Sequence, residues 1–97
     1  MAVIVEWDPD KARLNLRRHG VSFEEAATAF MDPLSSTIDD PLHSDTEERF
    51  IIVGESSQKR LLVVVHTDRG DRIRIISARV ANPRESRDYY EKDLTNI

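Results

Sequence analysis

Hydrophobic and polar positions along this chain recur with two different periods. From Ala2 to Trp7 the residues are mostly apolar and β-prone, which predicts a short first strand. Asp8-Pro9 reads as a helix start, because Asp caps free amides and Pro loses nothing at the first helical position. The predicted helix runs to about His19, with Ala12, Leu16 and His19 on one face, and stops at Gly20. Ser22-Phe-Glu-Glu25 has the form of a capping box, in which Ser22 and Glu25 satisfy each other's backbone amides. Phe23, Ala26, Ala27 and Phe30 then form a helical stripe that Asp32-Pro33 terminates. Two helices joined by a tight Gly-containing turn make an αα-hairpin.

Beyond Pro33 the period changes to two. A short strand is predicted within Leu34 to Asp39, and a polar loop from Asp39 to Glu47. Three strands follow, at about Glu48–Glu55, Arg60–Thr67 and Asp71–Arg79, with connections short enough for antiparallel hairpins. Asn82-Pro83 repeats the cap-then-Pro signature, and a charged helix runs from there to about Leu94 with only Tyr89, Tyr90 and Leu94 as apolar anchors. The order is β-α-α-β-β-β-β-α. This is an α+β layout in which helices cover one face of an antiparallel sheet.

Four-residue loops at 56–59 and 68–71 would set Arg49 opposite His66, and Arg60 opposite both Glu55 and Arg79. Arg49, Glu55, Arg60, His66, Ser77 and Arg79 would then share one face. Phe50, Ile52, Leu61, Val63, Val65, Ile76 and Ala78 would form the helix-covered one, with Arg72 and Arg74 at its end. A loop one residue longer would exchange the faces of a strand.

Composition narrows the class. With 97 residues the chain is read as one domain spanning 1–97, which buries roughly 60–65% of its unfolded surface. The longest apolar run, Leu61 to Val65, is far short of a membrane span, and no charged-then-apolar leader opens the chain. The absence of cysteine excludes disulfides and thiolate metal sites. A cytoplasmic protein without membrane association is expected. The net charge is −4, but residues 1–58 carry 5 basic and 12 acidic groups, and residues 59–97 carry 9 and 6. Of the 14 basic residues 11 are Arg, the side chain that grips phosphate bidentately.

No glycine-rich phosphate loop, dinucleotide fingerprint or nucleophile elbow is present, and His19, His43 and His66 do not stand at metal-ligand spacing. Guanidinium groups, a histidine and carboxylates on a sheet remain. Metal-free RNA cleavage needs a base for the 2′-hydroxyl, cations for the phosphorane and an acid for the leaving oxygen. Arginines serve the second role, and His66 or a glutamate such as Glu55 the others. The same residues have plainer readings. Arg49 and Arg60 read as rim residues paired with Glu48 or Glu55, His66 as a core histidine, and Arg72 and Arg74 as a solvated strand face.

Several segments, taken in order, resemble the BrnT family of toxins from bacterial type II toxin–antitoxin systems. They are Val5-Glu-Trp-Asp-Pro-Asp-Lys-Ala12, Asn15, Arg18-His-Gly-Val-Ser-Phe-Glu-Glu-Ala26, Phe30-Met-Asp-Pro33, Glu47-Glu-Arg-Phe50, Arg60-Leu-Leu-Val-Val-Val65 and Arg72-Ile-Arg-Ile-Ile-Ser-Ala-Arg79. The resemblance implies a RelE-like microbial ribonuclease fold and a metal-independent endoribonuclease without cofactor that halts translation. It also implies a BrnA-like antitoxin in a 2:2 heterotetramer, with operator DNA reached only through the antitoxin. Arg49, Arg60, His66, Arg79 and Glu55 are the candidate catalytic residues, and Arg69, Arg72, Arg74 and Ser77 the candidate RNA contacts. The other reading is a non-enzymatic interaction module, a degenerate toxin kept as an antitoxin-bound co-repressor.

Overall fold

The computed structural model describes residues 4–40 and 48–95. The elements are β1 (Ile4–Trp7), α1 (Pro9–His19), α2 (Phe23–Thr28) with a 3-10 turn at Ala29–Met31, β2 (Ser36–Asp39), β3 (Phe50–Glu55), β4 (Leu61–Arg69), β5 (Arg72–Val80) and α3 (Pro83–Thr95). The expected order is present. The polar loop predicted at 39–47 lies largely outside the described residues, and the last helix runs to Thr95, one residue past its expected end.

The helix boundaries follow from local chemistry. The Asp8 carboxylate accepts the Asp10 N–H at 2.8 Å, and Pro9 occupies the first turn. At the other end Gly20 takes φ +67°, and its N–H reaches the Leu16 carbonyl at 2.9 Å. The Ser22 hydroxyl accepts the Glu25 N–H at 3.0 Å. Only that half of the expected capping box forms, because the Glu25 side chain turns inward. A complete reciprocal box stands instead on α3, where the Glu85 N–H donates to Asn82 Oδ1 and the Asn82 N–H to Glu85 Oε1, both at 2.8 Å.

All five strands form one sheet in the order β1-β5-β4-β3-β2. It is not purely antiparallel, since β1 runs parallel to β5. Connecting two parallel neighbours requires the rest of the chain to intervene, which adjacency in sequence does not reveal. The helices also divide. α1 and α2 cover one face, whereas α3 lies over the other.

The core on the α1/α2 side contains Val21, Phe23, Ala26, Ala29, Ile52, Leu62, Val64, Ile75 and Ala78, with Trp7, Ala12 and Phe30 packed around them. Trp7 meets Phe23 edge-on at 6.0 Å between ring centres. Gly54 lets the helical segment approach β3, as a Cβ there would stand 2.7 Å from the Ala29 carbonyl oxygen.

The buried anchor of α1 is a polar residue. Leu16, expected to face inward, is half exposed, and Asn15 is buried in its place. The Asn15 amide donates to the Ala78 carbonyl at 2.8 Å and to the Val21 carbonyl at 3.0 Å. It accepts the Ala78 N–H at 3.0 Å. β1 pairs β5 only as far as Ile75, so Ala78 has no β1 neighbour. The Asn15 amide supplies the missing two-point pairing and fixes the α1–α2 turn as well.

Asn15→Ala therefore leaves three backbone groups without partners and should cost about 3 kcal/mol in urea unfolding. Leu14→Ala on the exposed side of the same helix should cost less than about 0.5 kcal/mol.

Candidate functional site

Two local irregularities decide which side chains share a face. In the β3–β4 hairpin the Ser56 N–H bonds the Arg60 carbonyl at 2.8 Å, and Lys59 takes φ +64°. Glu55 consequently pairs with Leu61 and Phe50 with His66, one residue out of the expected register. That slip turns β4 over: Leu62, Val64 and His66 face α1 and α2, while Leu61, Val63, Val65, Thr67 and Arg69 face away. The second irregularity is a bulge in β5. Val65 pairs with Ser77 but His66 pairs with Ile75, leaving Ile76 in excess. Strict alternation would separate Arg72 and Arg74 from Ser77 and Arg79. The bulge puts all four on the face away from α1 and α2.

That face is graded. On the β2–β3 side it is aliphatic, with Ile38, Ile51 and Val53 beside Val63 of β4. Toward β5 and β1 it carries Arg69 at the end of β4, then Arg72, Arg74, Ser77 and Arg79 of β5, with Glu6 paired to Arg74 in the register. Arg49 stands one residue before β3, where the Asp40 N–H holds its carbonyl at 2.9 Å, and alternation from Ile51 places it on this face too. Its Nε and the hydroxyl of buried Thr67 have no hydrogen-bond partner among the described residues.

The other expected site residues are elsewhere. His66 lies in the core on the opposite face, only 4% exposed, stacked on Phe50 and edge-on to Phe30. The expected surface position is thus corrected by the β4 register. Burial lowers its pKa, against the pull of the Asp68 carboxylate 3.5 Å from Nδ1. Arg60 lies at the turn rather than beside Arg79. Its guanidinium grips Glu25 with two bonds, Nε to Oε2 at 3.0 Å, and reaches the Gly20 carbonyl at 3.0 Å. The Ser56 hydroxyl also donates to Glu25, at 2.7 Å. Arg60 holds the buried Glu25 below the usual carboxylate range despite its desolvation, and the group ties α2 to the β3–β4 hairpin.

Arginines of the open face are engaged as well. Arg79 makes two parallel 2.8 Å bonds to Glu85 on α3, and these hold the Glu85 pKa down. Glu6 accepts from Arg74 at 2.9 Å and from Arg72 at 3.3 Å, which lowers its pKa. Glu55 is on the same face and accepts the Tyr90 hydroxyl at 3.1 Å. Beside it Asp32 accepts the Glu55 N–H at 2.7 Å, the Leu34 N–H at 2.9 Å and the Tyr89 hydroxyl. Burial opposes the charge on Asp32, but those three donors prevail and its pKa falls, while burial and Asp32 raise that of Tyr89.

Between α3 and the sheet is a recess of about 360 Å³, lined by Ser36, Ile38, Ile51, Val53, Val63 and Arg79 below and Glu85, Asp88, Tyr89 and Lys92 above. The sequence reading missed this α3 stripe, although its 85, 88, 89, 92 spacing is helical and Asn82…Glu85 is a capping-box signature. Among the described residues, no three His, Asp or Glu side chains converge as a metal cluster, and no helix is long and apolar enough to cross a membrane.

Comparison with known proteins gives two results. The profile of a family described as the ribonuclease toxin BrnT of type II toxin–antitoxin systems matches residues 7–85. The crystal structure of the Brucella abortus ribonuclease toxin BrnT superposes with a TM-score of 0.61 at 23% identity, covering 84% of this chain and 99% of that one. No curated protein sequence matches the chain.

The buried ionisable groups set the pH response. Native His66 lies below its ordinary value of 6.5, so the unfolded chain takes up that proton first and stability declines as pH falls below about 6.5. Glu25 and Glu85 lie below 4.5, so their contribution is present above that pH and is lost as pH falls further. His66→Phe should remove the upper decline and keep the lower one in urea midpoints measured from pH 8 to pH 3. Arg60→Ala strands the buried Glu25 carboxylate and should cost about 3 kcal/mol at pH 7, with a shallower loss on acidification.

Proposed function

The chain belongs to the BrnT family of ribonuclease toxins of type II toxin–antitoxin systems, and on that premise we propose that its open sheet face binds and cleaves RNA. The observation that carries this reading is the β5 bulge, which brings Arg72, Arg74, Ser77 and Arg79 onto one face with Arg69 and Arg49. A row of guanidiniums at strand spacing suits successive phosphates, and their bidentate bonds would strengthen as the scissile phosphate gains charge. Arg79 acts at the scissile phosphate, while Arg69, Arg72, Arg74, Ser77 and Arg49 position the strand. Glu55, on the same face, carries a proton between the 2′-hydroxyl and the leaving 5′-oxygen. Arg60 and His66 hold the scaffold instead of touching RNA. Because guanidiniums stabilise the phosphorane, the reaction needs no metal and proceeds in EDTA.

The family implies an antitoxin partner. In this reading it is BrnA-like, forms a 2:2 assembly, carries the operator-DNA contacts and covers the cationic face until it is released. Free toxin then stops translation in the cytoplasm by cutting messenger RNA. The fold label that goes with the reading is RelE-like, with a mixed sheet. A second reading, a non-enzymatic co-repressor, draws on one observation: Arg72, Arg74 and Arg79 are each gripped by a carboxylate of the same chain.

Incubating purified protein with single-stranded RNA and EDTA separates the two. Cleavage by the parent and loss by at least about 100-fold in Arg72→Ala/Arg74→Ala, with an unchanged circular dichroism spectrum, is the expected result. An intact substrate with the parent protein sinks the ribonuclease reading and leaves the co-repressor. Arg79→Ala should lose activity too, but it also frees Glu85. Arg79→Lys, which keeps the charge and loses the fork, is therefore the companion variant and should be impaired at least about tenfold.

A further inference from the structure

The recess under α3 has walls that do not match. Helices that cover sheets normally present an apolar stripe to them. α3 turns Glu85, Asp88, Tyr89 and Lys92 toward an aliphatic floor of Ile38, Ile51, Val53 and Val63. Four polar latches hold the helix there: Glu85 to Arg79, Tyr89 to Asp32, Tyr90 to Glu55, and Lys92 to Ser36. The floor remains largely unfilled, with about 360 Å³ of space between it and the helix.

A ligand that satisfies both walls has an apolar flat side and a polar edge. A nucleobase has this form: a ring face that packs on aliphatic side chains and an edge of donors and acceptors. The volume falls in the range of small-molecule sites. The position fits as well, because Arg79 lines the recess and begins the cationic row, and Val63 pairs with it across the sheet. A phosphate on Arg79 would leave its own nucleoside at the mouth of the recess.

Resting on the ribonuclease reading, we infer that this recess is a nucleobase subsite of the RNA substrate and that it selects guanine. Asp88 decides the base. Its carboxylate is exposed on the rim, and no described residue bonds it. A carboxylate only accepts, so it needs a base edge with two adjacent donors. Guanine offers N1–H and the 2-amino group side by side. Adenine, cytosine and uracil each offer an acceptor in one of those places.

Methyl-resolved NMR titration of the whole protein with GMP, AMP, CMP and UMP tests this directly. Saturable shifts at the Ile51, Val53 and Val63 methyls are expected, tightest for GMP. Asp88→Asn should weaken GMP roughly tenfold and leave UMP unchanged. Val53→Trp, which fills the recess, should abolish nucleotide shifts at Ile51 and Val63. Should that core variant misfold, Asp88→Asn at an exposed position carries the test alone. The absence of saturable shifts at these methyls with every nucleotide overturns the subsite, as does a GMP affinity indifferent to Asp88→Asn. Protein that binds GMP here yet cuts no RNA keeps the subsite and removes the ribonuclease reading. Protein that cuts RNA with the same base preference in parent and Asp88→Asn does the reverse.

Discussion

Strand β5 carries one residue more than β4 can pair, and the surplus sits at Ile76 between two stretches with different duties. Toward the β4–β5 turn, Ile75 must enter the core with Trp7 and Phe23, and Ile73 is half-buried on the same side. Toward α3, Ala78 must enter it beneath Asn15. Ile75 and Ala78 stand three positions apart, an odd step that regular alternation cannot accommodate. The bulge absorbs the difference, and the cationic face is its by-product. Arg72 and Arg74 alternate out of the core on one side of it, Ser77 and Arg79 on the other. A requirement of packing thus assembles the groups that chemistry can use.

Much of the architecture was legible because it rests on short-range chemistry. Asp8-Pro9, Gly20, Ser22 and Asn82-Pro83 mark helix ends through bonds made within a few residues, and the structure makes them. The apolar stripe from Phe23 to Phe30 and the three central strands were legible from periodicity. What eluded the sequence depends on long-range pairing. The left-handed Lys59 in the β3–β4 loop moves a register by one, and a single step exchanges the faces of nine residues. His66 changed sides for that reason, and Arg72 and Arg74 because a bulge has no local signature. Nor does composition show which carboxylate an arginine will meet: Glu25, Glu6 and Glu85 are 35, 68 and 6 positions from Arg60, Arg74 and Arg79.

Those pairs also explain how a chain of net charge −4 can present a face for a polyanion. The acidic excess of the first 58 residues is not a uniform field. Part of it is internal, with Glu25 clamped by Arg60 and Glu6 spanning Arg72 and Arg74. Such intramolecular carboxylates keep the guanidiniums oriented and hydrogen-bonded without a ligand. They also hold the seats that phosphate oxygens would take, so an incoming strand exchanges one anion for another and is not met by bare charge.

The Asn15 fork has a meaning beyond the docking of α1. Beyond Ile75 the β1-facing side of β5 is an unpaired border, the kind of strand margin on which a second chain can build. A side-chain amide imitates a peptide unit in having one donor and one acceptor face, and Asn15 applies both to Ala78. It ends the ladder with a group that belongs to a helix and so offers no next rung. The border is closed against fibre-like growth by one side chain, which lets β1 stop at Trp7.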